Sequence, residues 1–144
     1  MSEPMPFLTD APDAAARAVV EEGLAGYNNE QTGLSDRRPL AVLVRDPATG
    51  KIAGGLIGRT TLGLFFLDLF FLPQPLRGSG LGSRMLRMAE DEAERRGCRF
   101  AALVTISFQA PEFYARHGWR EFGRVPCAPP GTFRIFMAKD LDRS

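Results

Sequence analysis

Histidine and cysteine are nearly absent from this chain: one His and two Cys stand among 144 residues. Cys98 and Cys127 have no metal-ligand spacing, and a single imidazole cannot complete a site with them, so neither a metal nor a disulfide framework is expected. A chain of this length buries about two thirds of its unfolded surface and needs no such staple to fold. An excess of one charge is missing too. Lys and Arg together number 18 against 17 Asp and Glu, with no basic cluster, which argues against nucleic acid as a partner. The longest apolar run, Leu62 to Leu72, is interrupted by Asp68 and is too short to span a bilayer. Glu3 and Asp10 stand where a secretory leader would be basic. The expectation is a cytoplasmic protein with no membrane partner. Repeats, low-complexity tracts and linkers are absent as well. With 44% hydrophobic and 24% charged residues, the composition is that of one globular domain over residues 1–144.

What is present centres on residues 62–96. The run Leu62-Gly63-Leu64-Phe65-Phe66-Leu67-Asp68-Leu69-Phe70-Phe71-Leu72 is apolar on both faces and predicts a central strand covered on both sides. Pro73 and Pro75 stop it. The loop Arg77-Gly78-Ser79-Gly80-Leu81-Gly82 follows, and then an amphipathic helix from about Gly80 to Arg96. Its buried face is Leu81, Met85, Leu86, Ala89 and Ala93, with Asp91–Arg95 and Glu92–Arg96 pairs on the wet side. Alternate glycines where a helix begins let backbone N–H groups approach an anion without Cβ atoms in the way. A helix gains ~0.3–1 kcal/mol from a carboxylate in its first turn, yet this one begins among Ser79, Ser83, Arg77 and Arg84 and has no acid before Glu90. Its positive end is free for an external anion.

In chain order, Met5 to Thr9 predicts a first strand. Asp10 then caps a helix with Pro12 in its first turn, Ala15, Val19, Val20 and Leu24 at helical spacing, and Gly26 near its end. Tyr27 to Gly33 reads as a polar connection. Leu40 to Arg45 and Ile52 to Gly58 are strands joined by the turn Asp46 to Gly50. Gly54-Gly55 suggests a bulge or a close approach by another backbone. Phe100 to Ile106 is a strand, Gln109 to Arg116 a short helix, and Trp119 to Val125 with Phe133 to Ala138 a closing strand pair. Cys98 fits a buried, inert thiol. Cys127 lies in the loop Pro126 to Pro130 and has no functional reading. The sum is an α/β fold with a mixed, mostly antiparallel sheet of about seven strands.

Three readings of the glycine loop compete. A plain strand-to-helix turn is one. A P-loop fails for want of Gly-Lys-Ser/Thr, and a dinucleotide fingerprint fails because Ser83 replaces its third glycine and no acid follows about twenty residues on. A pyrophosphate cradle of another kind is the third. Here Arg77-Gly78-Ser79-Gly80-Leu81-Gly82 resembles the R/Q-x-x-G-x-G/A signature of the GNAT superfamily of acyl-CoA-dependent N-acetyltransferases. The flanking Leu-Phe-Phe-Leu-Pro and Ser-Arg-Met-Leu-Arg-Met-Ala-Glu resemble that family too, as does Phe113-Tyr114-Ala115-Arg116-His117-Gly118-Trp119. Two ordered blocks are far more specific than one, and the likeness covers nearly the whole chain, most strongly Leu40 to Gly123.

The resemblance implies a three-layer fold, acetyl-CoA as co-substrate, and transfer of the acetyl group to a primary amine by direct attack in a ternary complex. The amine would belong to a small molecule or a peptide. It also implies that the central strand and the next one splay apart to admit the pantetheine arm. Main chain of Phe70, Phe71 and Leu72 would then contact that arm, and Arg77, Gly78, Ser79, Gly80, Leu81, Gly82 and Ser83 would hold the pyrophosphate. Tyr114 takes the position of a phenol near the thioester sulfur, able to protonate a departing thiolate. Asp68 takes the position of a base or of a link to a base water; an ion pair with Arg59 or Arg120 is the alternative, since a lone carboxylate in an apolar strand needs a partner. His117 reads as a surface residue. Ser107 departs from the family's Asn, with Gln109 as a substitute, and residues 27–33 would help wall the acceptor site. A non-catalytic acyl-CoA sensor acting through a protein partner is the competing function. Edge strands and the apolar C-terminal pair leave room for a homodimer.

Overall fold

The computed structural model describes residues 2–141 and divides into two compact units, Met1–Ser35 and Asp36–Ser144. The first contains helix α1 (Ala14–Thr32), capped by the Asp13 carboxylate, which accepts from the Ala16 amide at 2.8 Å. The cap is thus Asp13 rather than Asp10. The helix continues through Gly26 and through the stretch read as a polar connection, because an interior glycine costs only about 1 kcal/mol. It stops at Gly33, whose φ of 72° supplies the left-handed turn. Residues 5–9 form no strand. Pro6 removes a ladder donor in the middle of that segment, and the sheet has six strands, not seven.

The second unit holds strands β1 (Arg38–Arg45), β2 (Ile52–Thr61), β3 (Leu64–Phe71), β4 (Phe100–Ile106), β5 (Arg120–Cys127) and β6 (Thr132–Asp140), with helices α2 (Leu81–Arg95) and α3 (Pro111–Arg116). The sheet order is β1-β2-β3-β4-β6-β5. Every pair is antiparallel except β3 with β4, which α2 connects as a crossover. Mixed α/β topology with one helical crossover is what the sequence pattern implies.

α2 buries Met85, and its Leu86, Ala89 and Ala93 join a core shared with Leu56, Phe65, Leu67, Ala101, Leu103 and Met137. Its C-terminal end is tied to the sheet by Arg96, which donates to the Pro39 carbonyl at 2.9 Å and the Thr60 hydroxyl at 3.1 Å. Arg95 pairs with Glu92 at 3.0 Å in place of Asp91, the neighbour one turn back at i,i+3 being equally within reach. Glu90, the first acid of the helix, is buried: it accepts from Lys139 Nζ at 2.5 Å and Trp119 Nε1 at 3.2 Å.

β3 is central in the sheet, but it is not covered on both sides, because Leu69 and Phe71 are 64% and 58% exposed. The reason is a bulge. Gly58 faces Leu67 and Ile57 faces Leu69, so Asp68 has no opposite residue. One extra residue reverses the alternation: Phe65 and Leu67 face the core before it, and Phe70 does so after it. Gly54, Gly55 and Gly58 permit close strand approach at this point, since a Cβ on them would meet Phe71 O at 2.6 Å, Val42 O at 2.9 Å and Phe66 O at 2.4 Å respectively. No helix among the described residues is long and apolar enough to cross a membrane.

Candidate active site

After Gln74–Leu76, a single turn of tight helix, Gly78 and Gly80 adopt φ of 81° and 85°. Only glycine enters that region at no cost, and a Cβ at either position would meet nothing within 4 Å. Their role is therefore conformational, and the space beside them is open. Gly80 begins α2 without a side-chain cap, and no acid stands in the first turn. Among the described residues no backbone amide from Gly78 to Ser83 has a hydrogen-bond partner; the first helical bond is Arg84 N to Gly80 O at 3.1 Å. Unfilled donors and the positive end of a helix occur together here, a combination suited to an anion.

Two clefts meet at this loop and share Phe70, Leu72, Arg77, Ala110 and Tyr114. One, of about 450 Å³, is lined by Gly78, Gly80, Gly82 and Ser83 with Phe113 and Arg116 opposite. The other, of about 510 Å³, reaches Phe71, Thr105, Phe108 and Gln109. The second exists because β3 and β4 part company. Their parallel pairing runs only from Leu64 with Phe100 to Leu67 with Leu103, while β3 continues to Phe71 and β4 to Ile106. The bulge at Asp68 directs Phe70 toward the junction, where its ring meets Phe113 edge-on with centroids 5.9 Å apart.

Tyr114 stands at that junction, 7% exposed, between the rings of Phe113 and Trp119. Its hydroxyl has no hydrogen-bond partner among the described residues, yet it is not sealed off from solvent. Burial pushes its pKa up to about 12, so it is a proton donor throughout the neutral range. Arg77 is partly engaged, with Nε on the Leu72 carbonyl at 2.7 Å and the guanidinium over Phe71. Asp68 lines neither cleft. It holds Arg59 through both carboxylate oxygens, at 2.9 and 2.8 Å, which is the ion-pair alternative raised from sequence. Ser107 is spent on β6, accepting from the Phe133 amide at 3.0 Å. Gln109 is built into the second cleft: its carbonyl oxygen accepts from the Ile106 amide and the Thr105 hydroxyl at 2.8 and 3.0 Å. It thus serves an amide at the end of β4 where β3 has moved away.

His117 is not a surface residue. It is half-buried, 2.9 Å from the Ser83 hydroxyl through Nε2, and packs on Phe113. Cys98 is buried, with its thiol pushed up by desolvation, and neither cysteine lines a cleft.

The sequence profile of the acetyltransferase (GNAT) family matches residues 6–119. The chain belongs to the GNAT acetyltransferase family. An acetyltransferase of Agrobacterium fabrum is 36% identical over 132 residues, covering 92% of this chain and 96% of the relative. Blasticidin-S acetyltransferase of Streptomyces morookaense is 37% identical over 114 residues, 77% of this chain and 84% of that one. A crystal structure from Agrobacterium tumefaciens, described as that of an acetyltransferase, superimposes with a TM-score of 0.85 at 34% identity, covering 94% and 99% of the two chains.

GNAT acetyltransferases use acetyl-CoA, and the uncapped amides of residues 78–83 fit a diphosphate while the gap between β3 and β4 fits an extended arm. Sequence reasoning did not single out Phe113 and Arg116, which line the loop cleft, or place His117 beside Ser83. Arg116 was findable as a cation two residues after Tyr114 on the same short helix. His117 was not, because nothing in local sequence joins it to Ser83.

Proposed function

We propose that this acetyltransferase moves an acetyl group from acetyl-CoA to the amine of a small-molecule acceptor, by direct attack within a ternary complex. The observation that carries this reading is a protonated, unbonded phenol placed where the anion-receptive loop meets the slot between the splayed strands. Acetyl-CoA supplies the activated acyl group. Amides of residues 78–83, with the Ser79 and Ser83 hydroxyls and Arg77, hold its diphosphate, and main chain of Phe70, Phe71 and Leu72 lies along its arm. Arg116 adds a cation on the opposite wall. Such fixed donors act by holding the reactants in line. Tyr114 gives its proton to the departing thiolate as the C–S bond breaks, while the proton shed by the attacking nitrogen leaves to solvent, from which the phenolate is reprotonated. Absence of a cysteine from both clefts favours direct transfer over a thiol-bound acyl intermediate.

The arm enters the second cleft between the splayed strands, and the acceptor takes the part of that cleft left open beyond it, where Phe108 is the aromatic wall and Thr105 and Gln109 are polar points. Asp68 is assigned to fixing Arg59 and the bulge rather than to taking the amine proton. Asp68→Asn should therefore change stability by no more than about 1 kcal/mol, as exposed ion pairs do, and leave the pH profile of turnover in place; loss of that profile's acidic limb would make Asp68 the base instead. Acceptors are tested by following thiol release from acetyl-CoA across a panel of amines, with blasticidin S first because a relative carries that name. Thiol release that requires an acceptor supports the reading. Binding of acetyl-CoA with no turnover on any amine would sink it.

A further inference from the structure

We propose that His117 is a positioning residue for the diphosphate: its Nε2–H donates to Ser83 Oγ and so turns the Ser83 hydroxyl proton toward the anion. This rests on the cofactor reading above and adds to it a residue that touches no substrate.

The geometry is specific. Ser83 lines the loop cleft beside Gly80 and Gly82, and His117 stands behind it, 2.9 Å away and outside the lining. A hydroxyl has one proton. If Ser83 spends it on His117, only lone pairs face the phosphate oxygens, and the contact is repulsive. If His117 donates instead, Ser83 makes a charge-assisted hydrogen bond to the anion, roughly twice as strong as a neutral one. Binding a diphosphate therefore selects the Nε2–H tautomer.

The imidazole cannot drift from this task. Its ring packs on Phe113 with centroids 4.9 Å apart. The His117 main-chain carbonyl accepts from Lys139 Nζ at 2.6 Å, and the same ammonium is anchored by buried Glu90 at 2.5 Å. Glu90 also takes the Trp119 indole N–H at 3.2 Å. Ser83 and Glu90 are seven residues apart on one face of α2, and both engage the turn His117–Trp119. That turn is pinned to the helix at two levels, which fixes Nε2 relative to the start of α2.

His117 is the chain's sole histidine, so a tag-free sample labelled with ¹⁵N yields one imidazole pattern and its tautomer is read directly by NMR. With coenzyme A bound, the Nε2–H tautomer is expected; the Nδ1–H tautomer in that complex overturns the proposal. Calorimetric titration of coenzyme A into Ser83→Ala, His117→Phe and the double variant completes the test. Each single change should weaken binding roughly tenfold, the loss of one hydrogen bond to a charged group, and the double should be no worse than either. His117→Gln, whose amide can place a donor near Nε2, should restore affinity to within about twofold. Additive losses, unchanged affinity in the single variants, no rescue by Gln, or an acetylated Ser83 in mass spectra each overturn it. If the wild type takes up coenzyme A normally while His117→Phe does too, this inference alone fails; a wild type that binds none removes the cofactor reading with it.

Discussion

Burial holds the Tyr114 phenol protonated, with its pKa pushed up to about 12, so it can give a proton at neutral pH and cannot act as a base there. Tyr114→Phe keeps the ring against Phe113 and Trp119 and removes only the oxygen. Turnover should fall by roughly 10²-fold or more, within the span of general-acid contributions, while coenzyme A affinity measured by calorimetry stays the same. Equal turnover would take Tyr114 out of the chemistry. His117 answers to acid. Burial lowers its pKa first, Glu90 works in the opposite direction, and Lys139, Arg87 and Arg116 lower it further. Below the ordinary value near ~6.5 the unfolded chain therefore binds a proton that the folded chain declines. The stability His117 contributes is complete above that pH and is lost as pH falls through the folded value. Denaturant midpoints measured from pH 7 downward should decline, and less steeply in His117→Gln.

At the scale of elements, β3 decides the site. Its bulge turns Phe70 inward, and its divergence from β4 after Leu67 opens the second cleft. Gly58 is the partner that makes the bulge possible, for a Cβ there would meet Phe66 O at 2.4 Å and Phe65 Cε1 at 2.9 Å. Neither atom can move cheaply, one being backbone in the ladder and the other belonging to a fully buried ring. Gly58→Ala should cost about 1–3 kcal/mol, as overpacking does, read from urea unfolding. A loss under about half a kcal/mol would mean that the strands separate easily at this point. Much of β3 was legible beforehand: its apolar run, its proline stop and its central place. Coverage of both faces was misjudged because one inserted residue swaps the faces halfway along, and alternation alone cannot announce that.

For the molecule as a whole, binding at the loop couples to folding. Coenzyme A at about a hundred times its Kd should add about 2.7 kcal/mol, which for a chain of this size raises Tm by several degrees. Gly80→Glu removes the φ of 85° that the loop needs and places a carboxylate at the anion's position. Its own Tm should drop modestly, a non-glycine residue in the left-handed region costing ~1–2 kcal/mol, and the rise with coenzyme A should vanish. A retained ligand-induced shift would mean that the diphosphate lies elsewhere.

The amino-acid sequence by itself determined the loop, the start and buried stripe of α2, and the order of strands around one crossover. These depend on glycine conformation, capping and 3.6-residue periodicity, all of which act within a few residues of one another. The family resemblance of the two blocks added Tyr114 and the splayed strands. Only the tertiary structure decided the partners of the polar side chains. Asp68 meets Arg59 across a bulge, Gln109 serves an amide that β3 no longer covers, and His117 reaches Ser83 across 34 residues. Glu90 can be buried because Lys139, 49 residues away, comes to meet it. A buried charge is tolerated only where its counter-charge arrives, and which one arrives depends on how the sheet brings distant segments together.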